Sequence, residues 1–394
     1  MRDAYIVTSV RTPGCRRGKG AFANTRPESL LSFIMSKAVE MTPNLEAGGV
    51  DDTMIGCSFP EAEQGLNIGR VANQIAGFPI EVSGATVNRF CASGLEAIAQ
   101  ACMRVMVGWS DVTLGGGIES MTYVPMGGNL PRPFPEMTEE HPDLYVSMGI
   151  TAENVANRYN ISREEQDEFA YQSQMKATDA MQNKKFIEIV PTPATKYVEQ
   201  ADGTFKKETF LQDFDDGIRP TTTKEGLGKL RPVFALGGSV TAGNSSQTTD
   251  GAAATVVMSE EAVKKYGAKP IAKLKCYTTV GCRADEMGVG PAYAIPKVLD
   301  KAGMKVDDIG LFEINEAFAS QAIYSIRQIG AEHLMDRINI HGGAIALGHP
   351  LGCTGAKLCA SLVNNMREKG VKYGVESMCI GGGMGAAAIF ELID

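Results

Sequence analysis

The sequence predicts an α/β fold built from two copies of one unit, with an inserted segment in the first copy. Strand-like runs alternate with helical runs, which favours layered helix–sheet packing over an all-α or all-β fold. Four short segments of the first half recur in the same order in the second half, and residues 119–249 have no counterpart there. A chain of 394 residues is long enough for two or three domains or for one duplicated fold.

The recurring segments place the elements of each copy. The pairs are residues 4–10 with 272–278, 50–57 with 306–313, 113–117 with 379–383, and 250–257 with 384–391. Each pair alone is weak because short glycine- and alanine-rich strings recur by chance, but four pairs in one order indicate a duplication. We therefore divide the chain into an N-terminal half (1–118 with 250–268), an inserted segment (119–249) and a C-terminal half (269–394).

The helical patterns lie at residues 95–107, 162–183, 293–302 and 354–368. The second of them belongs to the insertion, which also carries polar loops and a proline-rich run at 125–135. Insertions on the loops of a rigid scaffold often carry substrate contacts, so we interpret this one as a loop or lid domain. An insertion that is decorative or only builds an oligomer is the alternative.

Composition and charge exclude several classes of protein. A net charge of −8 argues against a nucleic-acid-binding surface. No run approaches 18 apolar residues, the N-terminus lacks the pattern of a secretory signal, and the final residues are not a peroxisomal tripeptide. The nine cysteines have neither C-x-x-C spacing nor the pattern of a disulfide framework. We therefore expect a cytoplasmic protein without a membrane span and without a metal site.

Cys91 stands between the strand-like stretch 85–87 and a helical run, in "NRFCASGLEA". Free cysteines are among the most buried residues, so a space-filling thiol is one interpretation. A nucleophile at a strand-to-helix turn is the other. Cys91 by itself does not separate the two.

Three further residues are candidates for chemistry. His349 lies in "GGAIALGHPLGCTGA", close to where Cys91 falls in the other copy, so that pseudo-symmetry would bring both turns to one seam. Cys379 ends a strand-like run before three glycines, whose bare N–H groups can approach an oxyanion. Asn315 follows a strand, where α/β folds place functional loops. The structural alternatives are a hydrogen-bonded histidine, a strand-end cysteine and a helix-capping asparagine.

Four motifs together resemble the thiolase family: "VNRFCASGLEAIAQA", "NEAFA", "GGAIALGHPLGCTGAK" and "CIGGGMGAAAIFE". The match runs from about residue 5 to the C-terminus with all motifs in family order. It implies a duplicated, five-layered αβαβα fold with a loop domain inserted in the first half. The tract around His349 is similar to the thiolase subunit of bacterial fatty-acid oxidation complexes, and the ending "CIGGGMG" is closer to acetoacetyl-CoA thiolases.

The resemblance implies a role for each matching residue. Cys91 would be the nucleophile that carries the acyl group, with the N-terminal dipole of its helix favouring the thiolate, and His349 would take its proton. Cys379 would protonate the departing enolate and later deprotonate CoA. His349 and a water held by Asn315 would stabilise the enolate oxygen, and the N–H groups of Cys91 and Gly381 the tetrahedral oxyanion. The scheme is ping-pong, with CoA as co-substrate and no permanently bound cofactor.

A CoA and acyl site is also implied by the resemblance. Its matching positions are Met148, Arg219, Phe234, Ala242, Ser246, Met287, Ala317 and Phe318. Ser147 and Gly226 depart from residues found in many members, which bears on the pantetheine and adenine contacts. His341 precedes a glycine pair at a position where members vary, and we assign it no role.

The sequence leaves alternatives at the level of function. The main prediction is thiolytic cleavage of 3-ketoacyl-CoA, reversible to Claisen condensation, within fatty-acid β-oxidation. An acetoacetyl-CoA-specific biosynthetic thiolase is the first alternative, and a β-ketoacyl synthase-like enzyme or a non-catalytic lipid carrier are others. The family implies a homodimer or homotetramer, and a complex with a hydratase/3-hydroxyacyl-CoA dehydrogenase subunit is suggested.

Overall fold

The structure, a computed structural model, describes residues 2–393. Its strands are β1 (Tyr5–Arg11), β2 (Cys15–Arg16), β3 (Asp52–Gly56), β4 (Ser83–Val87), β5 (Val112–Ser120), β6 (Thr192–Glu199), β7 (Phe205–Gln212), β8 (Thr249–Met258), β9 (Ala272–Gly281), β10 (Leu311–Ile314), β11 (Tyr373–Ile380) and β12 (Met384–Leu392). Its helices are α1 (Pro27–Glu40), α2 (Ile68–Ile75), α3 (Ser93–Met106), α4 (Pro135–Glu140), α5 (Met148–Arg158), α6 (Arg163–Gln182), α7 (Lys224–Gly228), α8 (Glu260–Tyr266), α9 (Gly290–Ala302), α10 (Ala319–Gln328), α11 (Ala344–Leu347) and α12 (Thr354–Lys369). The four predicted helices are α3, α6, α9 and α12.

The sheet repeats one pairing pattern in both halves of the chain. Its order is β10-β11-β12-β9-β1-β8-β5-β3-β4, with β2 beside β8. In the N-terminal half β3 is parallel to β5, β5 antiparallel to β8, and β8 antiparallel to β1. In the C-terminal half β10, β11, β12 and β9 pair in the same senses. The halves join where Tyr5 and Ile6 pair with Lys273 and Ala272.

The recurring segment pair 113–117 with 379–383 has the wrong register. Glu119 pairs with Gly251 in the first half, and Cys379 pairs with Gly385 in the second. Residues 250–257 correspond to 384–391, so the residue equivalent to Cys379 is Glu119 and not Thr113. The error arose because glycine strings match each other wherever they lie. Residues 115–117 are inside β5, whereas residues 381–383 form the turn after β11.

The helices and the two halves of the sheet form five layers. Helices α3 and α12 lie in the centre, pack against each other and share one apolar core with both half-sheets. Helices α1 and α2 cover the outer face of the N-terminal half, and α9 covers the outer face of the C-terminal half with α10 beside it. The predicted αβαβα fold is thereby confirmed.

The two central helices cross at a pair of equivalent glycines. A Cβ atom on Gly94 would lie 2.5 Å from the backbone nitrogen of Ala356, and one on Gly355 would lie 2.3 Å from the backbone nitrogen of Leu95. Each helix therefore touches the backbone of the other with its first turn. This contact brings together the two 3-10 turns that precede the helices, Phe90–Ala92 and Leu351–Cys353.

The connections between equivalent strands differ greatly in length. Residues 121–248 connect β5 to β8, whereas residues 381–383 connect β11 to β12. The long connection contains α4 to α7 and the β6–β7 hairpin. It is tied to the C-terminal half where Ser173 Oγ on α6 donates to the buried Glu316 carboxylate at 2.6 Å. Residues 2–393 contain no helix long and apolar enough to cross a membrane.

Candidate active site

Cys91 lies in a strained turn between β4 and α3. Phe90, directly before it, has a φ of +43°, which residues other than glycine rarely adopt. The turn is held on both sides, because Asn88 Oδ1 accepts from the Phe90 N–H at 2.8 Å and Ser93 Oγ donates to the Phe90 carbonyl at 2.6 Å. Backbone strain of this kind is found at functional sites when neighbouring groups enforce it.

The backbone of His349 is fixed by a glycine and by the start of β8. Gly348 has a φ of +80°, and a Cβ atom on it would lie 2.2 Å from Thr249 Oγ1. Only glycine fits this position without displacing its neighbour. The His349 N–H donates to the Gln247 carbonyl at 3.0 Å and to Thr249 Oγ1 at 3.1 Å.

The His349 ring lies between two side chains. Its Nδ1 is 2.6 Å from Thr354 Oγ1, and its Nε2 is 3.4 Å from Asn315 Nδ2. We assign the proton to Nδ1, since Nε2 then keeps a lone pair that faces the amide donor and can act as a base. Burial, with the positive charge of Lys357, lowers the pKa of His349 to about 3. The imidazole is therefore neutral at neutral pH.

Cys379 and Gly381 approach Cys91 from the end of β11. The backbone of Gly381 is close enough to the Cys91 sulfur to lower the pKa of its thiol, and Cys91 and Cys379 are close enough to influence each other electrostatically. Cys379 is fully buried, and burial followed by the proximity of Cys91 raises the pKa of its thiol well above the ordinary value. The structure thus brings Cys91, Cys379 and Gly381 together, and pairs Asn315 with His349.

Burial decides the protonation of Cys91. It raises the pKa of this thiol to about 12, although the Gly381 N–H acts in the opposite direction. The backbone groups at this turn favour the thiolate, in the direction expected of a helix N-terminus, but burial outweighs them. The thiol of Cys91 is therefore neutral at neutral pH, so its proton must leave as the sulfur attacks.

Asn315 is positioned by the neighbouring strand and helix. Its N–H donates to the Ser377 carbonyl of β11 at 2.9 Å, and its carbonyl accepts from Gln321 Nε2 at 2.9 Å. Its Oδ1 is buried and has no hydrogen-bond partner among the described residues. A buried polar atom of this kind requires an explanation, and a water or a substrate group would satisfy it.

Four of the predicted substrate-binding residues pack in one apolar cluster with Cys379. They are Met148, Met287, Ala317 and Phe318. Two more adjoin this cluster, because the Phe234 ring meets Phe318 edge-on at 6.0 Å and the Ser246 N–H donates to the Ala317 carbonyl at 2.9 Å. The Phe234 ring also covers Gly149, where a Cβ atom would lie 2.1 Å from it.

The remaining two predicted binding residues are not in that cluster. Arg219 is exposed and held through its backbone, whose N–H donates to Gln174 Oε1 at 2.8 Å. Ala242 is exposed in the loop before β8. Both belong to the surface of the inserted connection, at a different depth from the residues around Cys379.

Glu119 is a buried carboxylate that the sequence analysis missed. Its Oε2 accepts from the N–H groups of Ser58 and Gly352, both at 2.8 Å, and its Oε1 accepts from Gln64 Nε2 at 2.8 Å. Burial raises its pKa, and its charge opposes ionisation of Cys91. The repeat did not reveal it, because the register that makes Glu119 the counterpart of Cys379 appears only in the pairing of the strands.

Comparison with known proteins identifies the family. The sequence model of the thiolase N-terminal domain matches residues 4–261, and that of the thiolase C-terminal domain matches residues 268–392. The chain belongs to the thiolase family. The resemblance inferred from the motifs is confirmed, and this thiolase is an acyltransferase.

Relatives and solved structures match the thiolase over its whole length. It is 47% identical over 393 residues to a 3-ketoacyl-CoA thiolase of Bacillus subtilis, with 100% of both chains covered. The crystal structure of the Bacillus anthracis acetyl-CoA acetyltransferase has a TM-score of 0.89 at 36% identity, covering 100% of this chain and 99% of that one. The dimeric peroxisomal thiolase of Saccharomyces cerevisiae has a TM-score of 0.88 at 36% identity, covering 100% and 98%.

Proposed function

We propose that this thiolase cleaves 3-ketoacyl-CoA with CoA to acetyl-CoA and a shortened acyl-CoA, through an acyl group on Cys91. The observation that carries the proposal is that two neighbouring thiols, and a neutral imidazole paired with an unsatisfied amide, lie at the two contacting turns that precede α3 and α12 and at the ends of β10 and β11. The 47% identical relative named a 3-ketoacyl-CoA thiolase supports the same substrate class. β-Oxidation is the setting in which such a reaction operates.

The first half-reaction forms the acyl-enzyme. His349 Nε2 takes the Cys91 proton while the sulfur bonds to C3 of the substrate. The N–H groups of Cys91 and Gly381 stabilise the resulting oxyanion. The C2–C3 bond then breaks, its electron pair passes to the acetyl-CoA enolate, and the Cys379 thiol gives its proton to C2. The protonated His349 and a water held by Asn315 stabilise the enolate oxygen.

The second half-reaction restores the enzyme. Cys379, now a thiolate, takes the proton of the CoA thiol. The CoA sulfur attacks the acyl group, the bond to Cys91 breaks, and His349 returns the proton to the Cys91 sulfur. No net proton is gained or lost, and the same groups run the reverse Claisen condensation.

The substrate enters along the inserted connection in this scheme. The acyl end and pantetheine lie against the cluster of Met148, Met287, Ala317 and Phe318, with Phe234 and Ser246 at its edge. Exposed Arg219 contacts the nucleotide, where a guanidinium suits a phosphate or an adenine face, and Ala242 lies along the same surface. We retain residues 119–249 as the proposed loop domain, between the halves 1–118 with 250–268 and 269–394.

Alternatives differ in what they require of Cys379. A β-ketoacyl synthase-like enzyme typically pairs its nucleophile with two histidines or with histidine and asparagine, and has no need of a second thiol beside it. A lipid carrier has no need of a catalytic pair either. An acetoacetyl-CoA-specific enzyme would use the same groups with a shorter acyl pocket, and the sequence identity to a 3-ketoacyl-CoA thiolase favours the broader substrate class.

A symmetric dimer is the proposed assembly. Strand β4 ends the sheet with one edge unpaired, and apolar side chains that are largely exposed lie beside it, notably Leu66 and Ile80. Such an edge with exposed apolar residues is protected by a second copy in many oligomers. The Saccharomyces cerevisiae neighbour is dimeric, which supports this assembly. A cytoplasmic location and a hydratase/dehydrogenase partner stay predictions from the sequence.

The mass of the intact protein tests the proposed function. Protein is incubated without free CoA with acetoacetyl-CoA and, separately, with a longer 3-ketoacyl-CoA, and modified peptides are mapped. We expect an acyl adduct on Cys91 that CoA discharges, and none in Cys91→Ser. Absence of an adduct with folded, reduced protein would overturn the proposal. Loading by acetoacetyl-CoA alone would support the acetoacetyl-specific alternative.

A further inference from the structure

We propose that Lys357 is a positioning residue for His349: its ammonium group holds the two backbone carbonyls directly before the histidine and places a positive charge in the loop that carries it. The inference rests on the proposed role of His349 as the base for Cys91. Neither the motifs nor the comparisons assign a function to this lysine.

The first observation is the hydrogen bonding of the ammonium group. Lys357 Nζ donates to the carbonyls of Leu347 at 2.6 Å and Gly348 at 2.9 Å, which are the two residues directly before His349. The side chain is only 4% exposed. A lysine normally extends its charge to water, and a buried ammonium is costly unless specific partners satisfy it. Here those partners are two backbone carbonyls of the loop that carries His349.

The second observation is that α12 holds both the backbone and the ring of His349. Thr354 and Lys357 are three residues apart, which places them on one face of the helix. Thr354 Oγ1 bonds to the ring Nδ1, while Lys357 fixes the carbonyls of Leu347 and Gly348. Lys357 also lines, with Asn315, a cavity of ≈ 10 Å³, the size of one water.

The third observation is the balance of charges around Lys357. Burial lowers the pKa of Lys357 to about 8, and Asp215 is the anion that opposes this most strongly. Arg11 already binds that carboxylate through two hydrogen bonds of 2.7 and 3.0 Å. Arg11 Nε also binds Glu188 at 3.1 Å. Because both carboxylates already bind Arg11, the positive charge of Lys357 still acts on the loop that carries His349.

Several other titratable groups lie on the elements packed around His349, but Lys357 is the charged group that affects the pKa of the histidine. They are Cys91, Glu119, Arg11, Glu188, Asp215, Glu313 and Cys353. Burial keeps the thiols protonated and is the largest cause of the lowered pKa of His349, and Lys357 is the charged group that lowers this pKa further. Removing its charge would allow His349 to become protonated at a higher pH.

The test compares three variants in one assay. Lys357→Met removes the charge and both hydrogen bonds, and Lys357→Arg keeps the charge and can donate to both carbonyls. The matched control is Lys176→Met, because Lys176 Nζ also donates to two backbone carbonyls, those of Met335 and Ile338, in another loop. Acyl loading of Cys91 by acetoacetyl-CoA is timed by mass between about pH 4 and 8, since burial alone still holds the pKa of His349 below its ordinary value, and kcat and KM for CoA are measured.

We expect Lys357→Met to load Cys91 and turn over about 100-fold more slowly, with a KM for CoA within about threefold of wild type, as misplacement of a catalytic group by about 1 Å does. Its loading rate should fall with decreasing pH in a range where the wild type is flat. The loading and turnover rates of Lys357→Arg should lie within about tenfold of wild type and should not depend on pH in this range. Lys176→Met should behave as wild type.

Two results would overturn the inference. One is a Lys357→Met variant whose loading rate depends on pH as that of Lys176→Met does. The other is a Lys357→Arg variant whose loading rate depends on pH as that of Lys357→Met does, because the lysine would then have only a packing role. If Lys357→Met does not fold, the arginine profile alone decides. A wild-type protein that never acylates Cys91 would instead overturn the proposed function, so the two failures are distinguishable.

Discussion

A buried pair of carboxyl groups predicts that this thiolase loses stability as the pH rises. Glu313 on β10 and Glu376 on β11 are register partners, and both side chains are buried. Glu376 has no hydrogen-bond partner for either oxygen among the described residues, and Glu313 accepts only a 3.4 Å bond from Asn365 Nδ2. Burial raises the pKa of Glu313 from its ordinary 4.5 to about 8, and that of Glu376 well above 4.5.

The sign and size of the effect follow from the pKa of Glu313. A carboxyl whose pKa is raised on folding contributes stability that is complete below about pH 4.5 and is lost as the pH rises through about 8. A rise of about 3.5 pKa units corresponds to about 5 kcal/mol, of which about 4 kcal/mol is lost between pH 5 and 8.5. Glu313→Gln replaces the protonated acid with a neutral amide of the same shape and removes this loss.

Urea unfolding at about pH 5, 7 and 8.5 measures the effect. The free energy of unfolding of Glu313→Gln should increase relative to that of the wild type as the pH rises, by up to about 4 kcal/mol, because only the wild type must keep a proton on this side chain. Glu199→Gln, at the exposed end of β6, is the control and should track wild type. A difference between Glu313→Gln and wild type that stays constant across the three pH values would refute the reasoning.

Three further predictions concern the site. Gly348→Ala should cost about 1–3 kcal/mol and slow acylation, seen in the melting temperature and loading rate, because the residue has a φ of +80° and lies against Thr249. Cys379→Ser should leave Cys91 open to alkylation by iodoacetamide but reduce steady-state turnover by about 10²–10⁴-fold, the value of a lost general acid. Loading of wild-type Cys91 should be flat from about pH 5 to 7, because the pKa of His349 is lowered to about 3, and an inflection near 6.5 would contradict this.

The fold could be predicted because its signals are local and repeated. Strand and helix patterns are properties of short windows, and the duplication supplies each signal twice. The register of β5 against β11 could not be read in the same way. Glycines 115–117 and 381–383 match as letters, whereas the true correspondence of Glu119 with Cys379 appears only when both strands are paired with β8 and β12.

The residues of the candidate site could be named from the sequence, but their electrostatic environment could not. Cys91 and His349 stand in conspicuous motifs, but those motifs do not show how deeply the fold buries the two side chains. Burial outweighs the helix dipole at Cys91, and a lysine from the next turn of α12 acts on His349. Lys357 resembles an ordinary helix-surface lysine in the sequence, and only the fold makes it a buried donor.

The crossing of α3 and α12 at Gly94 and Gly355 also determines how the chain can be divided. The linker between β8 and β9 separates two units of similar topology, yet each unit contributes one central helix to a core that both share. Cutting the chain there would expose the facing sides of both helices, so neither fragment would hold a complete core. The two fragments would therefore depend on each other for folding, and activity would return only by complementation between them.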